Sequence, residues 1–216
     1  MAETARGLVL RVRPLTETSL VVHWLTPAQG RVATVAKGAL RPKSPFRGKL
    51  DLFFEAEFSF VRSRRSDLHL LRELVLVDTH AAIRRDLALL QAASYAALLV
   101  EQTTETETPL EDVFALARGF LQALPPPGAN PTLVLGFELK LLAILGLGPL
   151  PGQTRLSPAA RALMTALAVS NWASFRTLEA SPDSLRQLDQ FLHGYLIYHL
   201  GKLARGRSAA LGSGES

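Results

Sequence analysis

The chain has no cysteine among its 216 residues, which excludes disulfides, thiolate zinc sites and a cysteine nucleophile. It also lacks a long hydrophobic run. The longest, Leu141–Leu150, is broken by glycine and falls well short of the roughly 20 apolar residues that span a bilayer. Met1-Ala2-Glu3-Thr4 shows no basic segment leading into an apolar one, so no signal peptide is expected and the default compartment is the cytoplasm. Nor is there a glycine-rich phosphate loop. Gly146-Leu147-Gly148 precedes Pro149 with no helix to follow, and reads as a helix stop signal. The histidines His23, His69, His80, His193 and His199 lie at no metal-ligand spacing. His193 and His199, six apart, fall on opposite sides of a helix. Glu105 and Glu107 belong to a polar linker rather than to a cleft. With no nucleophile, base and orienter set in view, the chain reads as a non-enzyme without cofactor or metal.

Negative charge is scarce in one place. Residues 1–77 carry 13 Lys/Arg against 7 Asp/Glu, a net of +6, whereas residues 78–216 carry 11 against 12, a net of −1. The whole-chain net of +5 therefore belongs to the N-terminal third, and a localised positive field suits an anionic polymer. Its centre is Lys37–Lys49, which holds Lys37, Arg41, Lys43, Arg47 and Lys49, no acidic residue, two prolines, two glycines and one aromatic, Phe46. Proline and glycine mark it as a loop. A second basic turn, Arg62-Ser63-Arg64-Arg65-Ser66-Asp67, follows.

Around these loops the apolar residues recur with period two. Strands are expected at Arg6–Arg13, Thr18–Thr26, Arg31–Lys37, Leu50–Val61 and Leu68–Val77, the fourth with Leu52, Phe54, Ala56, Phe58 and Phe60 on one face. Five short strands predict a small closed barrel, an OB-fold, with an SH3-like barrel as the alternative. From Thr79 the period turns helical, with Ile83, Leu87, Leu90, Ser94, Leu98 and Glu101 on one face over about 20 residues. A Thr108-Pro109-Leu110-Glu111 capping box is expected to open a second helix, stopped by Pro125-Pro126-Pro127-Gly128. A third runs Pro131–Leu147, and Ser157-Pro158 and Ser181-Pro182-Asp183 cap two more, ending near Val169 and Leu203. The expectation is an α+β chain: an OB-fold domain over 1–77, a helical domain over 78–207 and a frayed tail over 208–216.

Single-strand binders pair a positive groove with aromatic platforms. The candidate nucleic-acid-binding residues are Arg11, Arg13, Trp24, Arg31, Lys37, Arg41, Lys43, Phe46, Arg47, Lys49, Arg62, Arg64 and Arg65. Trp24 reads equally as a core residue, while Phe46, placed in the loop, is expected to be exposed.

The run Leu25–Ser44, with Thr26, Gly30, Lys37, Gly38 and Ser44 at matching positions and Glu17 at the first turn, resembles the start of the RecO family of bacterial recombination mediators. Leu50–Phe53, then Asp86, Ser94 and Tyr95, then Phe137–Leu142 with Gly146 and Pro149, continue the resemblance in order over about residues 6–150. It implies an OB-fold followed by a helical domain, and binding of single- and double-stranded DNA. It also implies strand annealing, loading of recombinase onto strands coated by single-strand-binding protein, and nucleoid association. RecR and the C-terminal tail of the single-strand-binding protein are the implied partners. Many members carry a four-cysteine zinc module after the exit turn. Here Pro151–Arg155 leads straight to the Ser157 cap, so no zinc is carried over. A protein–protein adaptor whose helices bind an acidic peptide, and an RNA-binding OB protein, are the alternatives.

Overall fold

The structure, a computed structural model, describes residues 2–125 and 130–212. Its contacts divide it into two units, residues 1–81 with 104–115, and residues 82–103 with 116–216.

The first unit is built on five strands: β1 (Ala2–Pro14), β2 (Leu20–Thr26), β3 (Gly30–Ala36), β4 (Glu55–Val61) and β5 (Leu68–Asp78). They close into a barrel in the order β1-β2-β3-β5-β4. β1 is long enough to serve two neighbours, pairing Ala2–Leu8 with β4 and Leu8–Pro14 with β2. All pairings are antiparallel except β3 with β5, which run parallel through Ala33↔Leu68 and Val35↔Leu70. Alternation fills the interior with Val9, Val22, Trp24, Val32, Ala36, Ala56, Phe58, Phe60, Leu71 and Leu74. The expected strand set is present, with β1 starting earlier and β4 later than periodicity suggests. Leu50–Phe54 are not strand: Phe53 has φ 65°, and it and Phe54 exchange backbone hydrogen bonds with Val9 at 2.9 Å each.

Residues 104–110, between two helices in sequence, form a strap on this barrel. Thr106 bridges in parallel to Arg31, the Glu107 N–H donates to the Arg31 carbonyl at 3.0 Å, and the Leu110 N–H donates to that of Pro27 at 2.8 Å. The expected capping box is not made. The Thr108 hydroxyl instead donates to the Thr106 carbonyl, and helix α2 (Glu111–Ala123) starts after the strap is fastened.

The second unit holds α1 (Leu87–Thr103), the rest of α2, α3 (Pro131–Ile144), α4 (Pro158–Val169), α5 (Pro182–Leu200) and the short α6 (Arg207–Ala210). Asn130, Ser157 and Ser181 each accept a backbone N–H as N-caps of α3, α4 and α5. Gly146, at φ 72°, ends α3, where the Leu147 N–H reaches the Leu142 carbonyl at 2.8 Å, the stop signal its sequence suggests. The proline run expected to stop α2 continues into residues 126–129, outside the described residues.

Two further expectations are corrected by the second unit. The helix read from Thr79 is interrupted: a 3-10 turn at Ile83–Arg85 gives way to extended Asp86, whose carboxylate caps α1 through the Ala88 and Leu89 amides. The buried face is then Leu89, Ala92, Ala93, Tyr95, Ala96, Ala97, Leu99 and Val100, while Leu87 and Leu98 are 70% and 37% exposed. Apolar residues almost all round α1 leave its period ambiguous, and a polar anchor decides the rotation. Tyr95 donates to buried Glu138 on α3 at 2.5 Å. The second correction is the tail. Arg207 reaches Glu138 at 2.7 and 2.9 Å and Asp189 at 2.5 Å, seating α6 and burying Ala210 and Leu211. Residues 213–216 lie outside the described residues. Burial and the Glu138 charge push the Tyr95 phenol up. No described helix is long and apolar enough to cross a membrane.

Candidate nucleic-acid interface

The strand directions fix which loops share a barrel end. β1, β3 and β5 finish where β2 and β4 begin, so the loop 37–54 and the turn 15–19 lie at one end. The turn 62–67 lies at the other, beside the strap. The two basic segments are therefore separated by the length of the barrel.

The loop Lys37–Lys49 is a chain of tight turns rather than a slack connection. Amides of Arg41, Ser44, Arg47 and Lys49 each reach back three residues, to Gly38, Arg41, Ser44 and Phe46, at 3.0–3.2 Å. It is tied to the turn before β2: the Gly38 N–H donates to Ser19 Oγ at 3.2 Å and the Leu40 N–H to the Thr18 carbonyl at 2.9 Å. Ala39 and Phe46, 3% and 7% exposed, join the barrel core. The expected exposure of Phe46 is thus corrected: a ring that follows two prolines in a basic loop is its main anchor, because an ordered loop must offset its lost chain entropy by burying apolar area, and Phe46 is its largest apolar side chain. Held this way, Lys37, Arg41, Lys43 and Arg47 project into solvent, with Lys49 half-buried. Of these, Arg47 folds back to the Pro42 carbonyl at 3.1 Å.

Arg11 and Arg13 are exposed on the last third of β1, at the same end. Trp24 is not. It is fully buried, stacked on Phe58 at 4.2 Å between centroids, with its indole N–H donated to Thr34 Oγ1 at 2.8 Å. Of the two readings the sequence leaves open, the structure gives the core one. Arg31, half-buried, spends a guanidinium N–H on the Thr104 carbonyl at 2.5 Å.

At the far end Arg64 and Arg65 are exposed, but Arg62 is engaged. It bonds Glu3 at 2.7 Å and Glu107 at 3.0 Å, and these carboxylates, Glu3 foremost, hold its guanidinium above the ordinary value. Glu107, read from sequence as a linker residue, also accepts from His69 Nε2 at 2.8 Å. No sequence signal marks this cluster: Arg62 and His69 are near in sequence, but Glu107 lies 38 residues beyond His69 and Glu3 lies 59 before Arg62.

All the aromatic rings of the first unit, Trp24, Phe46, Phe53, Phe54, Phe58, Phe60 and Phe114, are buried. The chemistry this surface offers is ordered cationic charge without a stacking platform.

Strand order, closure and the parallel β3–β5 pairing define an OB-type barrel, followed by a helical region. Family models for the recombination protein O N-terminal and C-terminal domains match residues 1–80 and 84–150. The chain belongs to the RecO family. Over 143 residues it is 34% identical to the DNA repair protein RecO of Myxococcus xanthus, covering 66% of this chain and 58% of that one. Its identity to the same-named protein of Rhodopirellula baltica is 31% over 143 residues, 66% and 53% of the two chains. With that of Bacillus subtilis it is 30% over 150 residues, 69% and 58%. The chain thus spans little more than half the length of these relatives.

Proposed function

We propose that this protein is a DNA-binding recombination mediator acting in repair, holding single- and double-stranded DNA by its phosphates at the Lys37–Lys49 end of the barrel. The observation that carries the reading is the pairing of an anchored, outward-facing cationic loop with an aromatic set that is buried throughout. Phosphate contacts give affinity without sequence choice. With no ring to trap bases, the bases stay free to pair, and a surface that lowers repulsion between two backbones promotes annealing without a catalytic residue. Membership of the RecO family and relatives named DNA repair proteins support this setting. Loading of recombinase onto strands coated by single-strand-binding protein, with RecR and the C-terminal tail of that protein as partners, completes the proposal.

The test is anisotropy of a labelled single-stranded oligonucleotide at low and physiological salt, followed by annealing of complementary strands. Binding that weakens steeply with salt, with annealing above the protein-free rate, is expected. Absence of binding at low salt would overturn the proposal in favour of an adaptor.

A further inference from the structure

The turn at the strap end of the barrel is the other place where cationic side chains gather, and it is built differently. His69 is 97% buried, its side chain only 3% exposed. The Ser63 N–H points at Nδ1 from 3.3 Å, so Nδ1 holds a lone pair and the proton sits on Nε2. That Nε2–H is aimed at Glu107 Oε1, 2.8 Å away. Arg62 Nη1 meets the other oxygen, Oε2, at 3.0 Å. The imidazole is braced by Phe60, stacked at 5.4 Å and 12°, and the Arg62 guanidinium lies over the same ring at 5.8 Å. Two donors from a fixed frame converge on two oxygens of one anion. That is oxyanion recognition by a guanidinium and an imidazole N–H, the chemistry that also holds a phosphate.

The anion present is the chain's own, and its hold is poor in two respects. Glu107 sits at φ 56°, a left-handed backbone that costs a non-glycine residue energy, and its carboxylate is 41% exposed. The strap is fastened independently, by the Glu107 and Leu110 amides and by Arg31 on Thr104, so the carboxylate can leave without the strap unpinning. Arg64 and Arg65 stand exposed on the same turn. Glu3 stays on Arg62 Nε, which leaves the Nη1 edge for a second anion.

We infer that Arg62 and His69 form a phosphate subsite for the nucleic-acid backbone, occupied in the resting chain by Glu107, and that a bound strand gains it by displacing that carboxylate. This rests on the proposed DNA binding but concerns a second contact region, at the opposite barrel end from Lys37–Lys49. Glu107 acts there as an internal competitor that the strand must displace.

The test has two readouts on the full chain. In the first, Glu107→Ala is expected to tighten a single-stranded oligonucleotide severalfold, because the strand no longer has to displace the carboxylate. Removal of a negative charge strengthens binding in a general way too, so Glu105→Ala, an exposed carboxylate on the same strap, measures that part. The excess of Glu107→Ala over it must vanish in an Arg62→Ala background. Equal gains from the two strap variants, or a gain that survives without Arg62, would overturn the subsite. The second readout needs no DNA. On titration with inorganic phosphate, the His69 imidazole resonance is expected to shift in Glu107→Ala at concentrations that leave wild type unmoved. An unmoved His69 in the variant would sink the subsite, whereas loss of DNA binding with the phosphate shift intact would count against the proposed function alone.

Discussion

The indole N–H of Trp24 and the hydroxyl of Thr34 meet at 2.8 Å inside the barrel, on paired strands. Trp24 is fully buried, with Phe58 against its face, and so it serves as a core residue that spends its polar atom on the neighbouring strand. Thr34→Val keeps the shape but leaves the indole donor unpaired, and should cost about 1–3 kcal/mol in chemical denaturation. In a Trp172→Phe background, the remaining Trp24 emission should be unaffected by a saturating oligonucleotide. Quenching would mean that the indole leaves the core to stack.

Phe46 gives the sharpest separation of anchor from contact. Phe46→Ala should cost about 3 kcal/mol of barrel stability and weaken DNA binding by loosening the loop, whereas Phe46→Leu should largely restore both. Full stability with lost binding in Phe46→Ala would instead make the ring a ligand contact.

The separation of the two basic segments predicts unequal effects. Reversal of charge at Arg41, Lys43 and Arg47 should weaken single-strand binding by orders of magnitude and flatten the salt slope. Reversal at Arg64 and Arg65 should cost severalfold at most, and the two sets should combine additively, as distant sites do. Strong coupling between them, read by anisotropy, would contradict their placement at opposite barrel ends.

Arg207 and Glu138 form a buried pair, 6% and 0% exposed, with Tyr95 and Asp189 as further partners. Arg207→Met strands a carboxylate in the core and should cost about 3–5 kcal/mol. Adding Glu138→Gln should recover a large part of the loss. Equal instability of the single and double variants would show that α6 is seated by packing alone.

What could be read in the sequence follows from how local each signal is. Period-two alternation around Phe54–Phe60 and Val32–Ala36 reports a single buried face, and it yields the strands and the barrel. Serine before proline at Ser157 and Ser181 places two helix starts for equally local reasons. Phe46 misleads because its surroundings speak of solvent while its own area demands burial, and only the closed barrel end shows which prevails. α1 misleads because alanine and leucine run almost all round it, and a hydrogen bond from Tyr95 to a residue 43 positions on fixes its rotation. The Arg62–His69–Glu107 cluster is hidden for a similar reason: Arg62 and His69 flank one turn, but the strap alone brings Glu107 to them.

That strap also sets an order of events. Gly30 has φ 68°, and a Cβ there would lie 1.9 Å from the Thr108 carbonyl oxygen, so the start of β3 is shaped to receive a segment made more than seventy residues later. During synthesis the five strands can pair once Asp78 has left the ribosome. The amides of Glu107 and Leu110 arrive only after all of α1 has been made. The nascent barrel therefore waits, with the Arg31 and Pro27 carbonyls still bonded to water, until the chain returns to close its far end.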